Sequence, residues 1–304
     1  MTTEEKTRRI RAYQPLTEEE RRRQAERTSG EPMLDFTAGQ VGTDSTPYID
    51  YHHVDSLLSL QHPRSDEPAE LTFYITGQVQ ELLFKLMFTE TNRTRDLLLA
   101  DRLDDALWYL RRIEKILRVL TVSWEPVSTI TPTEFARYRD ELGTASGFQS
   151  YMYRQLEFSL GNKSPRMAEA YRAVPWVHEL VDAALRAPSL YDAALHLLRR
   201  RGYDIPSEAV ERDYTQPYEE HPAVEAAWSA LYTDQDRDPR LYALAEALCD
   251  LNYHYSRWRH THLLVVERVL GHKPGTGGTS GVDWLRRAAR HRFFPELWAV
   301  RSGI

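Results

Sequence analysis

A single cysteine, Cys249, stands in a chain of 304 residues. An internal disulfide is thereby excluded, and so is a zinc site built on thiolates. Cys249 falls among apolar residues in a helical pattern, so an inert core thiol is expected. No apolar run approaches the roughly 18 residues of a membrane span. The opening residues, "MTTEEKTRRIRAYQ", have no apolar stretch of the kind a secretory signal carries. A soluble, cytoplasmic protein is the expectation, with no membrane partner. Excess positive charge is also missing: 39 Lys and Arg stand against 45 Asp and Glu, a formal net charge of −6. The arginines are interleaved with acids along helical faces, so no nucleic-acid partner is expected. There is no alternating apolar pattern of useful strand length, no repeat and no low-complexity tract.

Glycine is scarce too, at 14 residues, yet Gly275, Gly277, Gly278 and Gly281 crowd into "HKPGTGGTSGVDW", residues 272–284. Such crowding marks backbone that takes positive φ or lies close to another group. A phosphate-binding loop is excluded, because Lys273 precedes the glycines instead of following them. The dinucleotide fingerprint fails as well, since Gly275, Gly277 and Ser280 miss its spacing.

What remains is helical. "LDDALWYLRRIEKILRVL" sets Leu103, Leu107, Leu110, Ile113, Leu117 and Leu120 at steps of three and four, one face of an amphipathic helix. "ELTFYITGQVQELLFKLMFTETNRTRDLL" reads the same way but is more apolar, so deeper packing is expected. "TPTEFARYRDELG" has a capping threonine and a terminal glycine. Proline and glycine near 125–133, 161–166, 202–206 and 214–222 mark connections. Residues 1–45 form a charged arm in which "LTEEERRRQAER" predicts a short helix, with Thr17 and Glu20 as a capping box. The rest of the arm is expected to be ordered only by docking. Residues 46–304 read as one all-α domain, a helical bundle.

Residues 241–270 carry the longest stripe: Leu241, Leu244, Leu248, Leu251, Tyr255, Trp258, His262, Val265 and Val269. His262 alone is not apolar, while His254 and His260 lie off the stripe. A histidine so placed is either a core residue bonded to a nearby carbonyl or carboxylate, or a metal or haem ligand. Positions 258 and 266, one turn to either side, are Trp and Val and supply no second ligand. One imidazole in an apolar wall suits a haem better than a bare metal ion.

Several stretches together resemble the tryptophan 2,3-dioxygenase family. They are "LLSLQHP" (57–63), "ELLFKLMFTE" (81–90), "RDELGTASGFQSYMYRQLEFSLGNKSP" (139–165), "APSLYDAALHLL" (187–198), "WRHTH" (258–262), "VLGHKPGTGGTSG" (269–281) and "FFPELWAVR" (293–301). The resemblance implies an all-α haem enzyme, with haem between helices, that opens the indole ring using O2 as co-substrate. It implies that His262 is the proximal ligand of haem b and that Ser146 lies beside the haem. Thr276 falls on the position that contacts the substrate's ammonium and carboxylate, Arg139 on the one that pairs with the carboxylate, and Phe73 on an aromatic wall of the indole pocket. Tyr48, Tyr51 and His52 fall in a segment that completes the neighbouring subunit's site in a homotetramer built as a dimer of dimers.

Two positions depart from the family pattern. Gly77, in "YITGQ", stands where a distal histidine is usual, and Phe135 stands where a carboxylate-binding tyrosine is usual. Glycine removes an acceptor for the indole N–H and opens volume; Phe135 leaves the carboxylate to Arg139 and Thr276. His52, at a position where the family is apolar, is a possible distal surrogate. These departures point to an altered substrate or product. L-tryptophan or a substituted tryptophan such as β-methyltryptophan is expected, giving an N-formylkynurenine-type product by dioxygenation or a 2-oxindole by monooxygenation. The alternatives are a catalytically altered haem- or indole-binding relative and a hydroxylase of another aromatic amino acid.

Overall fold

The structure, a computed structural model, describes residues 17–25, 45–271, 273–278 and 280–304. Every regular element among them is helical, as the sequence pattern predicts. The chain divides into two compact units, Met1–Pro63 and Arg64–Ile304.

The first unit contains α1 (Glu18–Ala25), α2 (Pro47–His52) and α3 (Val54–Leu57). α1 coincides with the helix expected in the arm; the expectation about the rest of the arm concerns residues outside those described. Thr46 caps α2 by accepting the Ile49 N–H at 3.2 Å, and Pro47 opens the helix. α2 ends where His53 turns into the left-handed region, φ 50°. No residue of α2 or α3 is buried.

In the second unit, α4 (Pro68–Leu99) and α5 (Leu103–Val122) form a long helical pair. The short α6 (Glu125–Ser128) and α7 (Pro132–Tyr138) follow, then 3-10 turns at Arg139–Leu142 and Gly147–Gln149. Next come α8 (Tyr151–Leu160), α9 (Pro165–Glu169), α10 (Pro175–Arg186), α11 (Leu190–Arg200), α12 (Ser207–Val210) and α13 (Pro222–Thr233). The chain closes with α14 (Pro239–Leu270), α15 (Val282–Arg290) and α16 (Pro295–Ala299). Pro68, Pro132, Pro165, Pro175, Pro222, Pro239 and Pro295 each take the first helical position. Their fixed φ suits that place and their missing N–H costs nothing there, so many of the prolines that mark breaks in the sequence are helix starts.

α5 lies between α4 and α14, while α8 and α11 pack on α4. The core follows from the two amphipathic stripes. Leu103, Leu110, Ile113, Leu117 and Leu120 of α5 are buried, and so are Leu241, Leu244, Leu248, Leu251, Tyr255, Trp258, Val265 and Val269 of α14. Cys249 is buried, and burial lifts its thiol to about pKa 11, which fits an inert core residue.

α4 differs from the expectation of deep packing. Its buried positions include Glu70, Thr76, Gln80, Glu90, Thr91 and Thr94, whereas Leu71, Ile75, Val79, Leu82 and Leu86 form an exposed apolar stripe. Mean apolarity does not say which face is covered; that depends on what the rest of the fold brings against the helix. No helix among the described residues is long and apolar enough to cross a membrane.

Candidate active site

The glycine loop is fastened to the segment that follows α7 by three contacts. Arg139 begins the 3-10 turn after α7, which Thr131 and Glu134 start with a reciprocal capping box. The Arg139 guanidinium donates to the Pro274 carbonyl at 2.6 Å. The Thr276 hydroxyl donates to the Ala145 carbonyl at 2.6 Å. Gly277 sits so close to Ser146 that a Cβ built on it would lie 2.6 Å from the Ser146 Cβ. No side chain fits there, which is the physical reason for that glycine. Gly281, at φ 58°, is constrained likewise, since its Cβ would meet the Lys273 carbonyl oxygen at 2.7 Å. Ser146 in turn caps the Gly147–Gln149 turn, accepting the Phe148 N–H at 3.3 Å. The two motifs most specific in the sequence, "ASGFQS" and "GTGGTSG", are thus one knot in space.

Beside the knot lies an aromatic group. The Phe73 and Phe135 rings meet edge to face at 6.4 Å, Phe135 and Tyr138 at 5.2 Å, and Phe73 and Tyr138 at 6.0 Å. Phe73 and Phe135 pack on an apolar cluster of Val127, Ile130, Val265 and Val269. Trp124 packs on the same cluster and stacks flat on His262, with ring centroids 4.4 Å apart and planes 5° from parallel. Trp258 flanks the imidazole at 6.1 Å.

His262 is half-buried, unlike the apolar members of its stripe. Burial lowers its pKa to about 4, so the ring is neutral at ordinary pH with a lone pair available. Among the described residues no hydrogen bond engages either ring nitrogen, which removes the reading of a core histidine bonded to a carbonyl or carboxylate. The histidine buried against a carboxylate is His254, whose Nε2 lies 3.5 Å from Glu114. Arg139 pairs with no carboxylate among the described residues, so its charge is available to an anion.

Gly77 is exposed on α4, with nothing within 4 Å of a Cβ built there. Tyr48, Tyr51 and His52 belong to the first unit, where both tyrosine rings lie 4.8 Å from the His52 ring.

Sequence reasoning missed a buried ionic cluster one turn from His262. Arg259 donates to Glu157 at 2.5 Å, and Arg154, Tyr153 and Asn162 donate to the same carboxylate. Burial pushes Glu157 upward, but Arg259 and Arg154 outweigh it and hold the carboxyl below its usual range. "WRHTH" contains Arg259, yet nothing local announces that its partner is on α8. Trp124 was missed as well; it falls where a helical pattern stops, and only its stacking reveals it.

A family model described as tryptophan 2,3-dioxygenase matches residues 35–231 and 229–304. A tryptophan 2,3-dioxygenase of Bacillus cereus is 44% identical over 261 residues, which span 86% of this chain and 94% of that protein. One of Bacillus anthracis is 44% identical over the same length. One of Burkholderia ambifaria is 45% identical over 272 residues, 90% of this chain and 86% of that protein.

Proposed function

The chain belongs to the tryptophan 2,3-dioxygenase family, and on that premise we propose that it is a haem-dependent oxygenase acting at the indole C2–C3 bond of L-tryptophan or a substituted tryptophan, with O2 as co-substrate. The observation that carries this reading is the His262 imidazole, neutral and free of hydrogen bonds among the described residues, in an aromatic and aliphatic surround. Among the described residues no three His, Cys, Asp or Glu side chains gather to hold a bare metal ion. One imidazole in an apolar wall fits a porphyrin. His262 would hold the iron of haem b, with Trp124 and Trp258 flanking the imidazole and Ser146 nearby. When bound, the haem supplies O2 activation.

The chain's own residues bind and orient. The Arg139 fork pairs with the substrate carboxylate. The Thr276 hydroxyl spends its proton on the Ala145 carbonyl, so its lone pairs face outward to accept from the substrate's ammonium. Phe73 and Phe135 flank the indole, where offset aromatic contacts add to burial. Phe135 offers no hydroxyl, so Arg139 bears the carboxylate's charge without help from that position.

The empty space at Gly77 favours a second reading, a substituted tryptophan such as β-methyltryptophan or a 2-oxindole product. Ring cleavage places both oxygen atoms in the product. A 2-oxindole keeps one, and the other then leaves as water with two electrons and two protons from an external donor. Anaerobic titration of the ferrous, haem-loaded protein with tryptophan and its methylated analogues, followed by labelled O2 and product masses, decides between them. No product from any of these amino acids overturns the proposal.

We also read the chain as one subunit of a homotetramer in which Tyr48, Tyr51 and His52 complete a neighbour's site. Tyr48 and Tyr51 are 67% and 68% exposed, and the α4 stripe adds apolar surface of the kind association covers. Light scattering on the purified protein tests this; a monomer refutes it.

A further inference from the structure

The rotation of an imidazole about its Cβ–Cγ bond is soft, with broad minima and no strong preference of its own. A histidine that holds a metal therefore has its ring set from outside. Most often a hydrogen bond does this, from the nitrogen that does not touch the metal to a carboxylate, carbonyl or water. His262 makes no such bond among the described residues. What lies on its ring is the Trp124 indole, 4.4 Å between centroids and 5° from parallel. Turning the imidazole out of that plane would drive its edge into the indole, and close-packed groups resist such overlap.

Trp124 is itself fixed. It stands at the start of α6, where its carbonyl accepts the Ser128 N–H at 2.9 Å. Its indole packs on the cluster of Val127, Ile130, Val265 and Val269 and stacks on Trp258, 6.3 Å away and 28° from parallel. Trp258, His262 and Val265 follow at steps of four and three on α14 and so share a face. Trp258 is buried and meets Phe84 edge to face at 5.5 Å, which leaves it little room to move. The Trp124 Nε1 is buried without a hydrogen-bond partner among the described residues. Burying an unpaired N–H works against folding, so the flat surface of this indole, and not its N–H, is what the site gains.

We infer that Trp124 is a positioning residue: its plane, in place of a hydrogen bond, fixes the rotation at which His262 presents a ring nitrogen to the haem iron. The inference rests on the proposed haem reading. A ring held in place beforehand loses no rotational freedom when the bond to iron forms, and preorganisation of that kind tightens binding.

The test is resonance Raman spectroscopy of the ferrous, haem-loaded protein, which reads the iron–imidazole stretch, with haem transfer to apomyoglobin as the measure of affinity. The unaltered protein gives one narrow stretching band. Trp124→Leu removes the plane; it broadens or splits the band and weakens haem binding by about ten- to a hundredfold, the scale for losing a group that orients a metal ligand. Trp124→Phe keeps a flat ring, and with it the narrow band and haem binding within about threefold of the parent. Where the leucine variant does not fold, Trp124→Met fills the space without a plane and broadens the band in the same way. A role confined to stability would lower the melting temperature and leave the band as it was. An unchanged band and haem affinity in folded Trp124→Leu or Trp124→Met therefore overturns the inference. Equal broadening in Trp124→Phe and Trp124→Leu overturns it too, since the indole N–H would then be the group that acts. If the unaltered protein shows no iron–imidazole band at all, it is the haem reading that fails.

Discussion

The Trp124 indole lies flat on the His262 imidazole, 4.4 Å between centroids, and closes one face of the ring. With that face covered and no hydrogen bond made among the described residues, the ring nitrogens are left for a ligand outside the chain. Replacing His262 with alanine is expected to cut haem uptake at least tenfold, because His262 is the residue that would hold the iron. Absorbance after mixing with haem, beside a circular dichroism spectrum showing the helices intact, checks this. Full uptake by the variant refutes the assignment.

Arg139 is expected to recognise the carboxylate and little else. Arg139→Ala should weaken L-tryptophan binding by about one to two orders of magnitude, as a charge-assisted bond is lost. Tryptamine, which has no carboxylate, should bind the variant and the parent alike. Equal losses for both ligands would mean that Arg139 only holds Pro274 and the loop.

Gly277→Ala drives a methyl into Ser146, 2.6 Å away where nothing can yield cheaply. The loop must shift and take Thr276 with it. A rise of at least tenfold in the KM for tryptophan is expected, since misplaced contacts cost this much or more. Adding Ser146→Gly removes the atoms in the way and should recover most of the loss. No recovery would show that the loop's own conformation, and not this contact, sets the effect.

Glu157 is shared by Arg259 and Arg154, all three buried. Glu157→Ala strands both cations and should cost about 3–5 kcal/mol of stability. A fall of roughly 6–20 °C in the melting temperature follows. A change within 2 °C of zero would be incompatible with a buried, paired cluster, at roughly 2–4 °C per kcal/mol for a large domain.

Lys163 is buried and donates to the carbonyls of Ala184, Leu185 and Ala187 at the end of α10. Burial lowers its pKa to about 7, against the pull of Asp192. The folded pKa lies below the unfolded one, so the unfolded chain binds the extra proton between the two. The stability Lys163 contributes is therefore complete above about 10.5 and is lost as pH falls toward about 7. The stability gap between the parent and Lys163→Met should widen from pH 7 to pH 9 in denaturant titrations. A gap that narrows over that range would show that the three carbonyls hold the proton more strongly than burial expels it.

Some of this was legible locally. Steps of three and four in α5 and α14 fix the helices and their buried faces, because helical periodicity is a property of neighbouring residues. His262 could be singled out for the same reason, as the one polar residue in its stripe. The glycines of 275–281 announced a constrained loop, since only backbone freedom or close approach calls for them. The covered face of α4 was not legible, because its polar residues are buried and its leucines exposed only by virtue of what the other helices bring against it.

The sequence by itself therefore determined the helices, the odd histidine and the tight loop, all set by contacts within a few residues along the chain. Only the tertiary structure decided that Gly277 touches Ser146, that Arg259 finds Glu157 and that Trp124 covers His262. Those partners are separated by about a hundred residues or more of chain, and no local pattern encodes a distance that only packing creates.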